Sequence, residues 1–458
     1  MPSPDQEINP GPFSYGRHLL KALLPSKTWN NRVVELARKA KNLGKDDPRK
    51  VVHSLKVALA LTLVSLFYYF KPLYNGFGVN AIWAVLTVVF VLEFSVGATL
   101  GKGLNRMLAT LLAAALGIGA HNLAVLFGKT GEPILLSFFV FVVGASVTFL
   151  RFLPEMKVKY DFGLMVFILT FCLISILSYR EELLIMALQR LLTIVVGSCA
   201  AIFVSIFIFP VWIGEDLHNL VAVNLEKLGT FLEGFGAEYF SEPQEGVSIQ
   251  EKPFLRRYKS VLTSQESEEN MASLATWEPR HGRFRFRHPW KQYRKVGDLT
   301  RECAYKIEAL NSYLNSKNQT SFEIRSRIQE PCTMISLATG KALKDLASAM
   351  QEMVQSSSVD SHISNSKIAA ENLKALIKSG LWEGVELVET IPATAVVSLL
   401  LDLVVCAEKI AEVVHQLASL AHFKSNMTAE RSQSIGRSTI QPTSNIDPRE
   451  NHVINIVE

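Results

Sequence analysis

Apolar positions fall into two patterns along this chain. Between about residue 51 and residue 210 they form nearly continuous blocks, each close to the ~20 residues that a helix needs to cross a bilayer. Six such blocks are read as spans: Leu55–Phe70, Val79–Val96, one from near Leu104 to before Lys129, Ile134–Leu153, Tyr160–Ser178, and Leu183–Phe209, which stops at Pro210. Beyond residue 213 the blocks give way to Leu and Ala at helical spacing, in Leu217–Phe235, Leu299–Leu314, Cys332–Met353, Ile368–Leu381 and Val396–Ala421. That spacing predicts amphipathic helices packed as a bundle, and no further run is read as a span. Loops are expected at Glu242-Pro243, Ser356–Ser358 and Ile391-Pro392. The expected fold class is an all-α membrane protein with about six transmembrane helices per subunit and a cytosolic helical bundle domain. The domains expected are a cytosolic N-terminal segment (1–50), a transmembrane pore domain (51–212), a cytosolic helical domain (213–424) and a Ser/Thr/Asn/Gln-rich, disordered tail (425–458).

Charge orients this pattern. The chain has 458 residues, 49 % of them hydrophobic, and a formal net charge of +5. Residues 1–214 hold 20 Lys/Arg against 11 Asp/Glu, so the apolar half is the basic half. The N-terminal flank, Lys102/Arg106 and Arg151/Lys157/Lys159 fall in one set of loops, and Lys71, Lys129, Glu132, Arg180, Glu181 and Glu182 in the other. The more basic set is expected in the cytosol, with both termini on that side. No cleavable signal peptide is visible. The five cysteines form no metal or redox motif, and Cys172 and Cys199 read as small buried hydrophobes.

Candidate chemistry is confined to charges in or beside the spans. No P-loop, G-x-S-x-G, H-E-x-x-H or EF-hand pattern occurs, so no catalytic residues are assigned. Arg190 lies well inside the sixth span, where a guanidinium faces a water-filled path, an anion or a carboxylate; pairing with Glu93 is the structural alternative. Lys102 and Arg106, four residues apart, share a helix face and suit an inner cationic vestibule, or they snorkel to headgroups. Lys56, at the start of the first span, is a further anion-site candidate, although snorkelling is the simpler expectation there. Glu93 is a counter-charge or a protonatable gate. Glu132, Glu181 and Glu182 are expected outside, where carboxylates suit a hard multivalent cation. The segment WEPRHGRFRFRHPW (277–290) alternates Arg283, Arg285 and Arg287 with Phe284 and Phe286. After a membrane domain it reads as a strap on the bundle or a face to anionic lipid, and not as a nucleic-acid site.

The runs SLKVALALTLVSLFYYFKPLYNGFGVNAIWAVLTVVFVLEFSVGATLGKGLNRMLATLLA, FLPEMKVKYDFG, FPVWIGEDLH and WEPRHGRFRFRHPWKQY resemble the plant aluminium-activated malate transporter family over most of residues 50–425. The resemblance implies a plasma-membrane anion channel for malate and other anions, built as a homodimer with basic residues along the pore. Lys102, Arg106 and Arg190 fall on the family's basic positions. It also implies no cofactor beyond a possible regulatory Al3+ ion near Glu181/Glu182, with external Al3+ or anions as gating signals. Some relatives carry Asp where this chain has Asn75, so weak or absent Al3+ activation is expected. A proton-coupled carboxylate carrier, a vacuolar malate channel and a membrane-anchored interaction protein are the competing readings.

Overall fold

The computed structural model describes residues 27–69, 82–177, 183–240, 252–285, 287–314, 322–380 and 387–425. The chain separates into two units, Met1–Val211 and Trp212–Glu458. The first holds α1 (Lys27–Asp46), α2 (Pro48–Tyr69), α3 (Ile82–Val91), α4 (Val96–Val125), α5 (Gly128–Leu150), α6 (Pro154–Leu177) and α7 (Leu183–Phe207).

The centre of the first unit is α4, which packs against α3, α5, α6 and α7. Its buried face is made of small residues, among them Gly103, Ala109, Ala113, Gly117 and Ala120, while Leu104, Leu108, Leu112 and Leu116 point outward. This inverts a soluble helix. Without water to drive association, helices in lipid pack through small residues that let backbones approach. A Cβ on Gly117 would stand 2.9 Å from Ile174 of α6. A Cβ on Gly197 of α7 would stand 2.6 Å from the Ala84 carbonyl oxygen of α3, so that crossing admits only glycine. Ala60, Val64, Ala84, Val88, Ala201 and Val204 close the core between α2, α3 and α7.

Several boundaries differ from those expected. The second block ends as helix at Val91, and the third begins at Val96, eight residues before Leu104. The hydroxyl of Ser95 accepts from the Ala98 N–H at 3.3 Å and starts α4 there. Lys102 and Arg106 therefore lie on the opening turns of a helix and not in a loop. Glu132 likewise lies within α5. Cys199 is exposed on the outside of its apolar helix, against the expectation of burial.

The second unit holds α8 (Ile213–Phe240), a 3-10 turn at Pro253–Leu255, α9 (Lys259–Leu262), α10 (Gln265–Ala275), α11 (Trp290–Leu314), α12 (Phe322–Glu352), α13 (Ser358–Lys378) and α14 (Leu387–Ala421). Two residue pairs, β1 (Val354–Gln355) and β2 (Lys424–Ser425), form a short parallel ladder. The core of the unit joins Leu225, Phe231, Phe235, Ile307, Leu343, Leu400 and Ile410 from four helices, with Tyr258 from the turn before α9. Here α14 overturns two expectations. It continues through Pro392, where a loop was expected, and Glu389–Ala421 is long and apolar enough to cross a membrane. The other helices that meet that measure are Val96–Val125, Thr130–Leu150 and Lys159–Ile176; Ile82–Val91 and Leu191–Phe207 are apolar but shorter. Half of the apolar stretch of α14 is buried within the second unit, where Val396, Leu400, Leu403 and Ala407 form part of the core. Glu242-Pro243 and the tail beyond Ser425 lie outside the described residues.

Candidate functional site

The site grows from the break between α3 and α4. Leu92–Ser95 leave the helical path, and the gap is tied by backbone and hydroxyl groups alone. The Glu93 N–H donates to Thr99 Oγ1 at 3.0 Å, and the Val96 N–H donates to the Val211 carbonyl at 3.0 Å. Thr99 Oγ1 in turn donates back to the Ser95 carbonyl at 3.0 Å. These bonds satisfy the polar backbone of an interrupted helix. Irregular backbone at membrane depth persists only where it is so satisfied or lines a cavity.

Glu93 projects from this break and pairs with Lys102, both side chains more than a third exposed. Among the described residues the partner of Glu93 is Lys102; the Arg190 side chain, its partner in the structural alternative, lies outside them. The Lys102 ammonium also sits 5.6 Å from the centre of the Phe162 ring on α6. One turn further along α4, Arg106 is only 6 % exposed. Its guanidinium lies 6.0 Å from the Phe90 ring centre, its Nε has no hydrogen-bond partner, and no carboxylate pairs with it among the described residues. A cation over an aromatic face recovers about 1–2 kcal/mol, far less than the cost of burying it unpaired.

Lys56 on α2 is 2 % exposed, which overturns snorkelling: this ammonium is enclosed by protein. No carboxylate pairs with it among the described residues. His53, one turn earlier, sets its ring edge-on to Phe94 at 5.7 Å, so the start of α2 faces the same break. Asn105, between the cations, donates to the Lys159 carbonyl at 2.9 Å and fixes α4 against the first turns of α6. Close to that junction Arg151 meets Asp161 through two bonds of 2.8 and 3.2 Å.

Arg190 lies on α7, and its side chain is outside the described residues, as are Glu181, Glu182 and Asn75. Glu132 is half-buried with an oxygen 3.6 Å from Nδ1 of His121, one helix away. Among the described residues no three His, Cys, Asp or Glu side chains converge as metal ligands. Sequence reasoning did not find Phe90 or Phe162. Each approaches from a different helix, and no periodicity within one segment signals it.

Apolar helices long enough to span a bilayer, packed around enclosed cations, define a membrane protein built for moving charged solutes and not an enzyme. The model of the family described as aluminium activated malate transporter matches residues 41–384, and the chain belongs to that family. It is 50 % identical over 431 residues to aluminum-activated malate transporter 2 of Arabidopsis thaliana, covering 93 % of this chain and 86 % of that relative. Aluminum-activated malate transporter 1 of Arabidopsis thaliana is 49 % identical over 432 residues, with 92 % and 87 % covered. The protein of the same name from Triticum aestivum is 47 % identical over 416 residues, with 89 % of each covered.

Proposed function

We propose that this chain is an anion channel that passes malate across the plasma membrane, acting as a homodimer with both termini in the cytosol. The observation that carries the reading is Arg106, enclosed in the apolar unit without a carboxylate among the described residues. The names of the relatives supply malate as the solute. Residues 51–212 form the pore domain in this reading, and residues 213–424 the cytosolic domain.

The mechanism is electrostatic. Lys56, Lys102, Arg106 and Arg190 give the path a positive potential, which low-dielectric walls concentrate. A malate carboxylate exchanges part of its hydration shell for these cations, and a cation is repelled. Glu93 keeps Lys102 partly neutralised, so the anion is held by several weak sites and can leave. Glu132, Glu181 and Glu182 are the carboxylates available to a multivalent cation outside. With Asn75 in the first outer loop, Al3+ activates weakly or not at all.

Voltage-clamp recording with malate and chloride exchanged, with and without external Al3+, tests this. Arg190→Glu is expected to abolish malate current while surface protein is retained, and normal conductance in that variant would refute the assignment. Reversal potentials that follow the pH gradient would favour a proton-coupled carrier. Liposomes containing the purified chain that pass no anion would favour an interaction protein. Currents confined to the vacuolar membrane would relocate the channel.

A further inference from the structure

We propose that the strap Arg280–Lys295 is a docking surface for the anionic lipid headgroups of the membrane in which the first unit sits. Between those residues the sequence is RHGRFRFRHPWKQYRK, without one Asp or Glu. Arg280, Arg283, Arg285, Arg287, Lys291 and Lys295 are all exposed. Arg294 meets Glu269 at 3.4 Å, and one guanidinium nitrogen of Arg283 donates to the Gln351 carbonyl at 3.0 Å, which leaves the Arg283 charge in place.

The strap is held from beneath. The His281 and Phe284 backbones bond to each other at 3.2 and 2.9 Å, and Gly282 takes φ +47° in the turn between them. Phe284, His288, Trp290 and Tyr293 are buried. Tyr293 Oη lies 2.8 Å from His218 Nδ1 and 3.2 Å from His288 Nε2. Among the described residues of the strap, the aromatic side chains are therefore buried while the cations are exposed.

The same packing sets the strap's place along the chain. The Glu278 carboxylate accepts the N–H groups of Ile213 and Gly214 at 2.7 and 3.1 Å, at the start of α8. Trp212 stacks on His281 with ring centres 3.9 Å apart. Trp290 fills the face that Gly214 leaves open. Trp212 follows Phe207, the end of apolar helix α7, within about 18 Å of fully extended chain. The strap is thus packed against the residues that follow a membrane helix in the chain, and an anionic leaflet attracts cations on such a segment. The buried rings of Phe284, Trp290 and Tyr293 argue against the alternative partner, because a single-stranded nucleic acid needs exposed rings for stacking. Six exposed cations within sixteen residues suit a plane of headgroups better than one free phosphate.

The test uses the full-length chain in neutral detergent, equilibrated with phosphatidylcholine and phosphatidylserine in equal amounts. Bound lipid is counted by mass spectrometry. Each neutralised cation is expected to lower phosphatidylserine enrichment about fivefold, and Arg283→Gln/Arg285→Gln/Arg287→Gln together roughly 100-fold. High salt lowers it in the wild type. Arg256→Gln/Arg257→Gln, exposed elsewhere on the same unit, leaves it unchanged. If the triple variant unfolds, Arg285→Gln alone decides. Undiminished enrichment in a folded strap variant would overturn the proposal. So would displacement of phosphatidylserine by equal inorganic phosphate or by a single-stranded oligonucleotide. Neither outcome bears on whether the chain conducts malate.

Discussion

Arg301 in the second unit and Arg106 in the first are buried in opposite ways. In the second, Arg301 is 6 % exposed and held by Glu268 and Asp298, with Asn224 and Ser264 completing the shell around Glu268 at 3.2 and 2.8 Å. In the first, Arg106 is equally enclosed and has a phenyl ring for company, and Lys56 has no carboxylate among the described residues. A charge surrounded by partners is part of a scaffold: its cost is offset where it stands. A charge enclosed without one lowers its free energy only when something mobile and negative arrives. The chemistry of the side chain is the same in both; the environment makes Arg301 structural and leaves Arg106 available, in the proposed function, to a passing anion.

Substitutions can break that contrast. The largest effect is expected for Arg106→Met. It should reduce malate current tenfold or more, since about 1.4 kcal/mol of lost anion stabilisation suffices for that, while the detergent-solubilised protein melts no earlier than the wild type. Equal losses of current and melting temperature would show Arg106 to be scaffold. Glu268→Ala should do the reverse, lowering the stability of the second unit by about 3 kcal/mol because Arg301 stays buried with only the exposed Asp298 left to pair with it; denaturant titration followed by circular dichroism measures it.

A smaller effect should follow pH. Burial lowers the His218 and His288 pKa values from 6.5 to about 4, with nearby Arg283 adding to the first and His218 to the second. Both are neutral in the fold and more readily protonated when unfolded. Their contribution is therefore complete above pH 6.5 and is lost as pH falls towards about 4, roughly 2–3 kcal/mol per histidine. Thermal melts of His218→Gln should flatten that dependence, and an unchanged slope would count against the assignment. Least in size, Glu93→Gln should free Lys102 and raise malate current at low malate a few-fold, about 1 kcal/mol or less for a half-exposed pair. A fall in current with normal surface protein would instead give Glu93 a purely structural role.

Much of this was readable from the chain because lipid permits few solutions. Long apolar blocks declare helices, and Lys102, Arg106 and Glu93 stand out by charge alone. What could not be read was pairing across helices. Lys102 reaches Glu93 only because Ser95 starts α4 early and Thr99 holds the break, and three polar residues in an apolar run give little warning of it. Lys56 looked free to reach headgroups, since burial by neighbouring helices leaves no trace in local spacing. Helix α14, expected as a bundle helix, shows the limit from the other side. Its apolar content matches a span because it forms much of a protein core, and hydropathy alone does not separate hydrocarbon from packed side chains.

Gly197 has a consequence for natural variation. Every replacement there adds at least one carbon where the Ala84 carbonyl already stands, so drift at this position can only wedge α3 away from α7. Genetic screens for cells that have lost this transport should therefore recover changes at 197, a residue that carries no charge of its own, alongside the arginines.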